Sequence, residues 1–329
     1  AEKHGIVMNN AESAINVYGD VTAAQVSNAG KITVDGGNLN VAGTFTNNGT
    51  VNVLGESTLN IDNYNNGKFV WGKAIQLLDG AIIKDSNVGG YVDAVGKVTF
   101  RGDNTFGTIQ DFEASYHDNN TAVNNTEMII EKGASVTTAS QKFTIGFGDK
   151  LSVYGNLEDA KAAYEAGNLT ADDYSLDAQK GMFFQGNRAD DVTTFNVNDA
   201  YVRLGANGQS VANAKNEDQR LGTYNFNWTN AVVEAEETFD FKDSGENNGN
   251  YNFNLDNTVL KVGAVETDKS YADAENNPAY RGAINFADKD STFKAKDSKV
   301  VVIGKESNNY NAGTFEFDNS ELNLNAAFV

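Results

Sequence analysis

The chain has 329 residues, with 40% hydrophobic and 10% aromatic side chains, a formal net charge of -20, no cysteine and one proline. The lack of cysteine excludes disulfides, thiolate metal sites and a cysteine nucleophile, and the acidic excess argues against nucleic acid, whose affinity rests on Lys and Arg neutralising phosphates. No apolar run reaches membrane-spanning length, and the aromatic content argues against disorder. A single proline, Pro278, suits stacked strands that must donate hydrogen bonds on both sides.

From Gly5 to about Trp71 short alternating phrases follow one another: Ala14 to Val17, Lys31 to Val34, Asn38 to Val41, Thr50 to Val53 and Ser57 to Ile61. Apolar residues at every second position predict strands with one buried face. Gly36-Gly37, Asn47-Asn48-Gly49 and Asn65-Asn66-Gly67 supply the turns between them, and stacked corner asparagines are expected to form hydrogen-bonded ladders.

Runs such as Gly43-Thr44-Phe45-Thr46-Asn47-Asn48-Gly49-Thr50-Val51-Asn52-Val53 resemble the passenger repeats of bacterial autotransporter and filamentous-haemagglutinin-type adhesins. The resemblance is one of repeat style and covers about two thirds of the chain. It implies a right-handed parallel β-helix, exported to the cell surface and working as an adhesin or structural stalk. The cysteine-free composition fits bacterial export, and Ala1-Glu2-Lys3-His4 suits a mature terminus left by cleavage. The last residues, Phe328-Val329, follow a repeat directly, which predicts a fragment or a secreted subunit rather than a complete autotransporter.

Between about Lys73 and Ile145 the strand candidates are Ala81 to Lys84, Lys97 to Phe100, Glu127 to Ile130 and Lys142 to Ile145, with a polar loop expected from Ser115 to Asn125. Residues 1–155 are thus read as solenoid coils with long loops. The pattern then breaks over 156–180, where a helical hairpin is expected. Asn156 offers a cap, the alanines after Asp159 a helix, Gly167 a stop, and Thr170 with Asp173 a second start close to a capping box. Such an insertion would decorate the stack or cover a sheet edge.

Residues 181–329 resume the coils with a ten-residue phrase beginning at Phe195, Phe226, Phe253, Phe286 and Phe315. The phrase reads aromatic, any, apolar, any, Asp or Asn, small, any, apolar, any, apolar. It predicts a strand, a corner and a second strand, and its period of about 30 residues signals stacked supersecondary units. The copy at Phe286 departs, with Asp288 at its third position.

The chemistry available is sparse. His4 and His117, the only histidines, lie in an expected tail and loop, which argues against a triad or a multi-histidine metal site. A polysaccharide lyase or glycoside hydrolase would need paired carboxylates; the candidates are Asp190 and Asp191 near Arg188, and Asp288 with Asp290 near Arg281. In a chain with 45 acidic residues such pairs arise readily by chance. Calcium is the one cofactor for which ligands are offered, by Asp243 and Glu246 in a glycine-containing acidic stretch and by Asp118, although a solvated acidic turn is the simpler reading. Arg101-Gly102-Asp103 spells an integrin-binding tripeptide but is read as a turn.

The expectation is therefore an all-β parallel solenoid with a small helical insertion. It is expected to be non-enzymatic, to lie outside the cell, and to meet a glycan or protein of a host or neighbouring cell, or copies of itself. A carbohydrate-active β-helix enzyme is the alternative.

Overall fold

The computed structural model describes residues 4–65, 74–110, 126–146, 148–185, 190–205, 211–213, 222–236, 239–241, 249–263, 284–286, 290–303, 309–310 and 313–325. The chain is a parallel β-solenoid, divided into two units, Ala1–Gln141 and Lys142–Val329.

In the first unit each early coil carries three short strands. Ile6–Met8, Val26–Asn28, Thr44–Asn47 and Asn63–Asn65 stack as one ladder. Ala14–Val17, Lys31–Asp35, Thr50–Leu54 and Ile75–Leu77 make a second. A third contains Asp20–Ala23, Asn38–Val41 and Glu56–Ile61. Register places like on like: Val17, Val34, Val53 and Leu77 form one inward row, all buried.

Polar residues are stacked by the same repeat. Asn60 donates to Asn40 at 2.7 Å and Asn38 to Asp20, between strand residues rather than the corner asparagines for which ladders are expected. A further ladder is buried: Asn28 donates to Asn47 at 2.8 Å and Asn47 to the Tyr64 hydroxyl at 2.9 Å. The same asparagine oxygens accept the backbone N–H of Gly30 and Gly49, so the corner amides are satisfied inside the stack. A Cβ at Gly49 would lie 2.0 Å from the Gly30 carbonyl oxygen, which explains the glycine after the paired asparagines. Arg101-Gly102-Asp103 is indeed a corner, with Gly102 at φ 63°. Arg101 donates to Glu131 at 2.8 Å and to Glu56 at 2.7 Å.

In the second unit the recurring phrase builds two ladders joined by one corner. Its first strands are Val192–Asn198, Thr223–Thr229, Asn250–Asp256, Thr292–Lys296 and Thr314–Asp318, preceded in the stack by Lys150–Tyr154. Its second strands are Tyr201–Leu204, Val232–Ala235, Val259–Val262, Lys299–Ile303 and Glu321–Asn325, preceded by Tyr174–Ala178. Phe226, Phe253, Phe293 and Phe315 are in register and stack face to face, at 4.1, 5.5 and 5.9 Å between successive rings.

One expected copy is thereby corrected. The fourth phrase begins at Phe293, not at Phe286, which pairs with Phe241 in a third ladder. Phe293-Lys294-Ala295-Lys296-Asp297-Ser298-Lys299-Val300-Val301-Val302 fits every position. Even spacing favours Phe286, but successive coils are separated by 31, 27, 40 and 22 residues, because the connections differ in length. Longer loops are tolerated since closure entropy grows only with the logarithm of length.

The corner has a physical rule. Its fifth-position residues, Asp199, Asn230, Asn257, Asp297 and Asn319, all have φ between 45 and 51°, the left-handed region that Asp and Asn tolerate best after glycine. The small residue that follows is turned inward. Ser298 Oγ accepts from the Thr258 N–H at 3.0 Å and donates to the Lys296 carbonyl at 2.7 Å, and Ser320 repeats this one coil on. Asp85 and Ser86 use the same device in the first unit.

The helical insertion is smaller than expected. Asp159, not Asn156, is the N-cap of the helix Ala160–Glu165, its carboxylate accepting from the Ala162 N–H at 3.0 Å. The helix ends in a Schellman pair, Asn168 N–H to the Ala163 carbonyl and Gly167 N–H to that of Tyr164. The second helix is one 3-10 turn, Ala171–Asp173, opened by Asp173 accepting from the Thr170 N–H. Residues 174–178 are a strand, because Tyr174 to Ala178 takes its place in a ladder against Tyr201 to Leu204.

Candidate functional site

The insertion replaces a corner. In register with Asp199, where later coils turn in two residues, Gly155 leads into 156–173 before the chain returns at Tyr174. The insertion then runs along the corners of the following coils. Leu157 N–H donates to the Asp199 carbonyl at 2.9 Å, and Asn230 Nδ2 donates to the carbonyls of Leu157 and Glu158. Lys161 Nζ reaches the Asp297 carbonyl at 2.6 Å. Corner residues in the left-handed conformation thus also dock the insertion.

What it covers is a sheet face rather than an edge. Ala160 packs with Tyr201, Val232 and Val259, flanked by Leu157, Tyr164, Leu169 and Tyr174. Tyr201, Val232 and Val259 occupy the seventh position of the phrase, which faces outward. They are buried only because a helix lies on them. In the next two coils the same position holds Lys299 and Glu321, where the roof ends. This switch from Tyr-Val-Val to Lys-Glu is the signal in the sequence that marks a covered outer face.

Beneath the roof the ninth position forms a charged row, Arg203, Glu234, Lys261. Lys261 Nζ lies 3.5 Å from Glu234, and their side chains are 1% and 3% exposed. Glu234 also accepts from the Tyr201 hydroxyl at 2.7 Å and from that of Tyr174 at 3.4 Å. Arg203 Nε donates to Glu236 at 2.9 Å, and Arg203 stands 3.6 Å from Asp177. Burial raises the Asp177 carboxyl above its ordinary value, more than Arg203 lowers it.

The three tyrosines share one cause. Burial pushes the phenols of Tyr164, Tyr174 and Tyr201 above their ordinary value of 10.0, and the negative charge of Glu234 adds to the shift in each. Unfolded tyrosines ionise near about pH 10, so this stabilisation is fully present below that pH and is lost as pH rises toward the folded values. Denaturant titrations from neutral pH to about pH 11 are expected to show falling stability above about pH 10, with a shallower fall in Tyr201→Phe. Equal slopes in the two proteins would refute the assignment.

Where the roof stops, the outer face opens into a cleft of about 810 Å³. Tyr164 and Glu165 come from the helix, and Lys261, Lys299, Val301 and Ile303 from the strands. It combines an ammonium donor, Lys299, a carboxylate acceptor, a phenol and aliphatic side chains.

The residues singled out in the sequence lie elsewhere. Asp118, Asp243 and Glu246, the calcium candidates, fall outside the described residues, as do His117 and the Ser115 to Asn125 loop. Of the carboxylate pairs, Asp190 is exposed and Asp191 buried just before the strand Val192–Asn198, while Arg188, Asp288 and Arg281 lie outside the described residues. Asp290 is exposed before Thr292–Lys296. Among the described residues no three His, Cys, Asp or Glu side chains converge as metal ligands, and no helix is long and apolar enough to cross a membrane. Comparison with protein-family models, curated proteins and solved structures found no match for this chain.

Proposed function

We propose that the chain is a non-enzymatic display protein of the bacterial cell surface, an adhesin or stalk whose solenoid holds the helical insertion as a fixed contact element. The observation that carries this reading is how the insertion is held. It is hydrogen-bonded to the corner residues Asp199, Asn230 and Asp297 of three coils and buried against outward side chains of three strands. A segment so tied presents one surface, which lowers the ordering cost of binding. The partner class is a glycan or protein of a host or neighbouring cell.

The test is retention under flow of beads carrying the full chain on cultured epithelial and bacterial cells, beside incubation of the soluble chain with pectate, alginate and xylan. Retention without new polysaccharide ends is the expected result. Cleavage of any of the three polymers without retention would replace this reading by the carbohydrate-active one.

A further inference from the structure

The cleft at the roof's edge has a charge balance that narrows its ligand. Lys261 is matched by Glu234 at 3.5 Å and Lys299 by Glu321 at 3.4 Å, and Glu165 stands on the opposite wall. The first pair is closed off beneath the roof, its side chains 1% and 3% exposed, so the cleft itself presents one ammonium group, Lys299, beside the carboxylates of Glu321 and Glu165 and offers an anion no net attraction. The chain's formal charge of -20 repels anions further, and among the described residues no three acidic side chains converge to hold a metal cation.

A neutral ligand must then satisfy groups of opposite habit. Lysine only donates, ionised glutamate only accepts, and Asn323 on the same lining does both. A hydroxyl donates and accepts, so a ligand bearing many of them can meet all three. Val301, half-buried, and Leu322, exposed, give the cleft an apolar patch, and Tyr164 a phenol wall, both suited to the C–H faces of a pyranose ring. The volume lies within the range of small-molecule sites.

We propose that this cleft, between the helix Ala160–Glu165 and the strands Val259–Val262 and Lys299–Ile303, binds a neutral oligosaccharide. The inference deepens the display reading and rests on it only for where the sugar is met.

The experiment uses the full chain against immobilised cellotetraose, maltotetraose, chitotetraose and β-1,4-galactotetraose, with trigalacturonate and sialyllactose as acidic comparators, followed by calorimetric titration of the binders. At least one neutral sugar is expected to bind. Val301→Trp, which fills the cleft, is expected to weaken it about tenfold or more, and Tyr18→Ser, at an exposed site in the other unit, to leave it unchanged. Should Val301→Trp not fold, Lys299→Ala supplies the same comparison. Binding to none of the neutral sugars, preference for the acidic ones, or affinity untouched by both cleft variants would overturn the proposal. Beads retained on cells while no neutral sugar binds would remove this inference and leave the display reading; sugar binding without retention would do the reverse.

Discussion

Replacing Phe253 with alanine is expected to cost about 3–5 kcal/mol, the range for removing a large aromatic side chain from a packed core. The ring is 1% exposed and lies between Phe226 at 4.1 Å and Phe293 at 5.5 Å, with Trp228 perpendicular to it at 5.6 Å between ring centroids. Collapse into the space is opposed by the backbone, because Asn250–Asp256 is paired on both sides and strand separation in a ladder is fixed near about 4.8 Å. The cavity therefore stays open. Phe315, in the same column but 38% exposed, is expected to lose no more than about 1–2 kcal/mol on the same change. Urea denaturation of the two variants measures the difference, and hydrogen exchange locates it. In a stack stabilised between neighbours, lost protection in Phe253→Ala should centre on 223–229, 250–256 and 292–296. Equal losses of stability in the two variants would refute the argument.

The strands were legible because burial on one side writes period two into the sequence. Ala14 to Val17, Asn38 to Val41 and Glu127 to Ile130 have the expected bounds, and the alternation of Lys31 to Val34 extends by one residue to Asp35. Strands with a buried polar partner were not legible in this way. Val26–Asn28 and Asn63–Asn65 carry few apolar residues, and Asn28 is held inside by amide hydrogen bonds that leave no hydrophobic mark. Spacing misled at Phe286, since loop length is only weakly constrained while register is strictly so. At the helix start, Asn156 and Asp159 are equally good caps by residue type. Asp159 is the one used because the chain before it is hydrogen-bonded along Asp199 and Asn230.

The site was the least legible part. Its groups are far apart in the chain: Lys161 meets the Asp297 carbonyl across 136 residues, and Asn230 meets Leu157 across 73. No local motif joins them. What the sequence does contain is the column of seventh-position residues, and this becomes readable only once the fourth phrase is set at Phe293. With Phe286 as the start, the column is broken by a residue of another ladder, and the change from Val259 to Lys299 disappears. Assigning the register correctly is thus the step that turns a repeat pattern into a statement about which outer face is covered.

That covered face holds a buried ion pair, Lys261 with Glu234. Lys261→Met is expected to destabilise the chain by about 3–5 kcal/mol, because it leaves Glu234 buried without its ammonium partner. The hydroxyl of Tyr201, 2.7 Å from Glu234, stays as a donor but carries no charge to offset the carboxylate. Adding Glu234→Gln to Lys261→Met is expected to recover most of the loss. The amide oxygen still accepts from Tyr201, and a buried ion pair replaced as a pair costs little, since its desolvation is removed together with its attraction. Lys294 forms a comparable ion pair with Glu316 at 3.2 Å, yet its side chain is 48% exposed, and Lys294→Met is expected to change stability by less than about 1 kcal/mol. Denaturant melts of the three variants decide the matter. A loss in Lys261→Met no greater than in Lys294→Met, or a double variant no more stable than Lys261→Met alone, would show that the charged row under the roof is solvated.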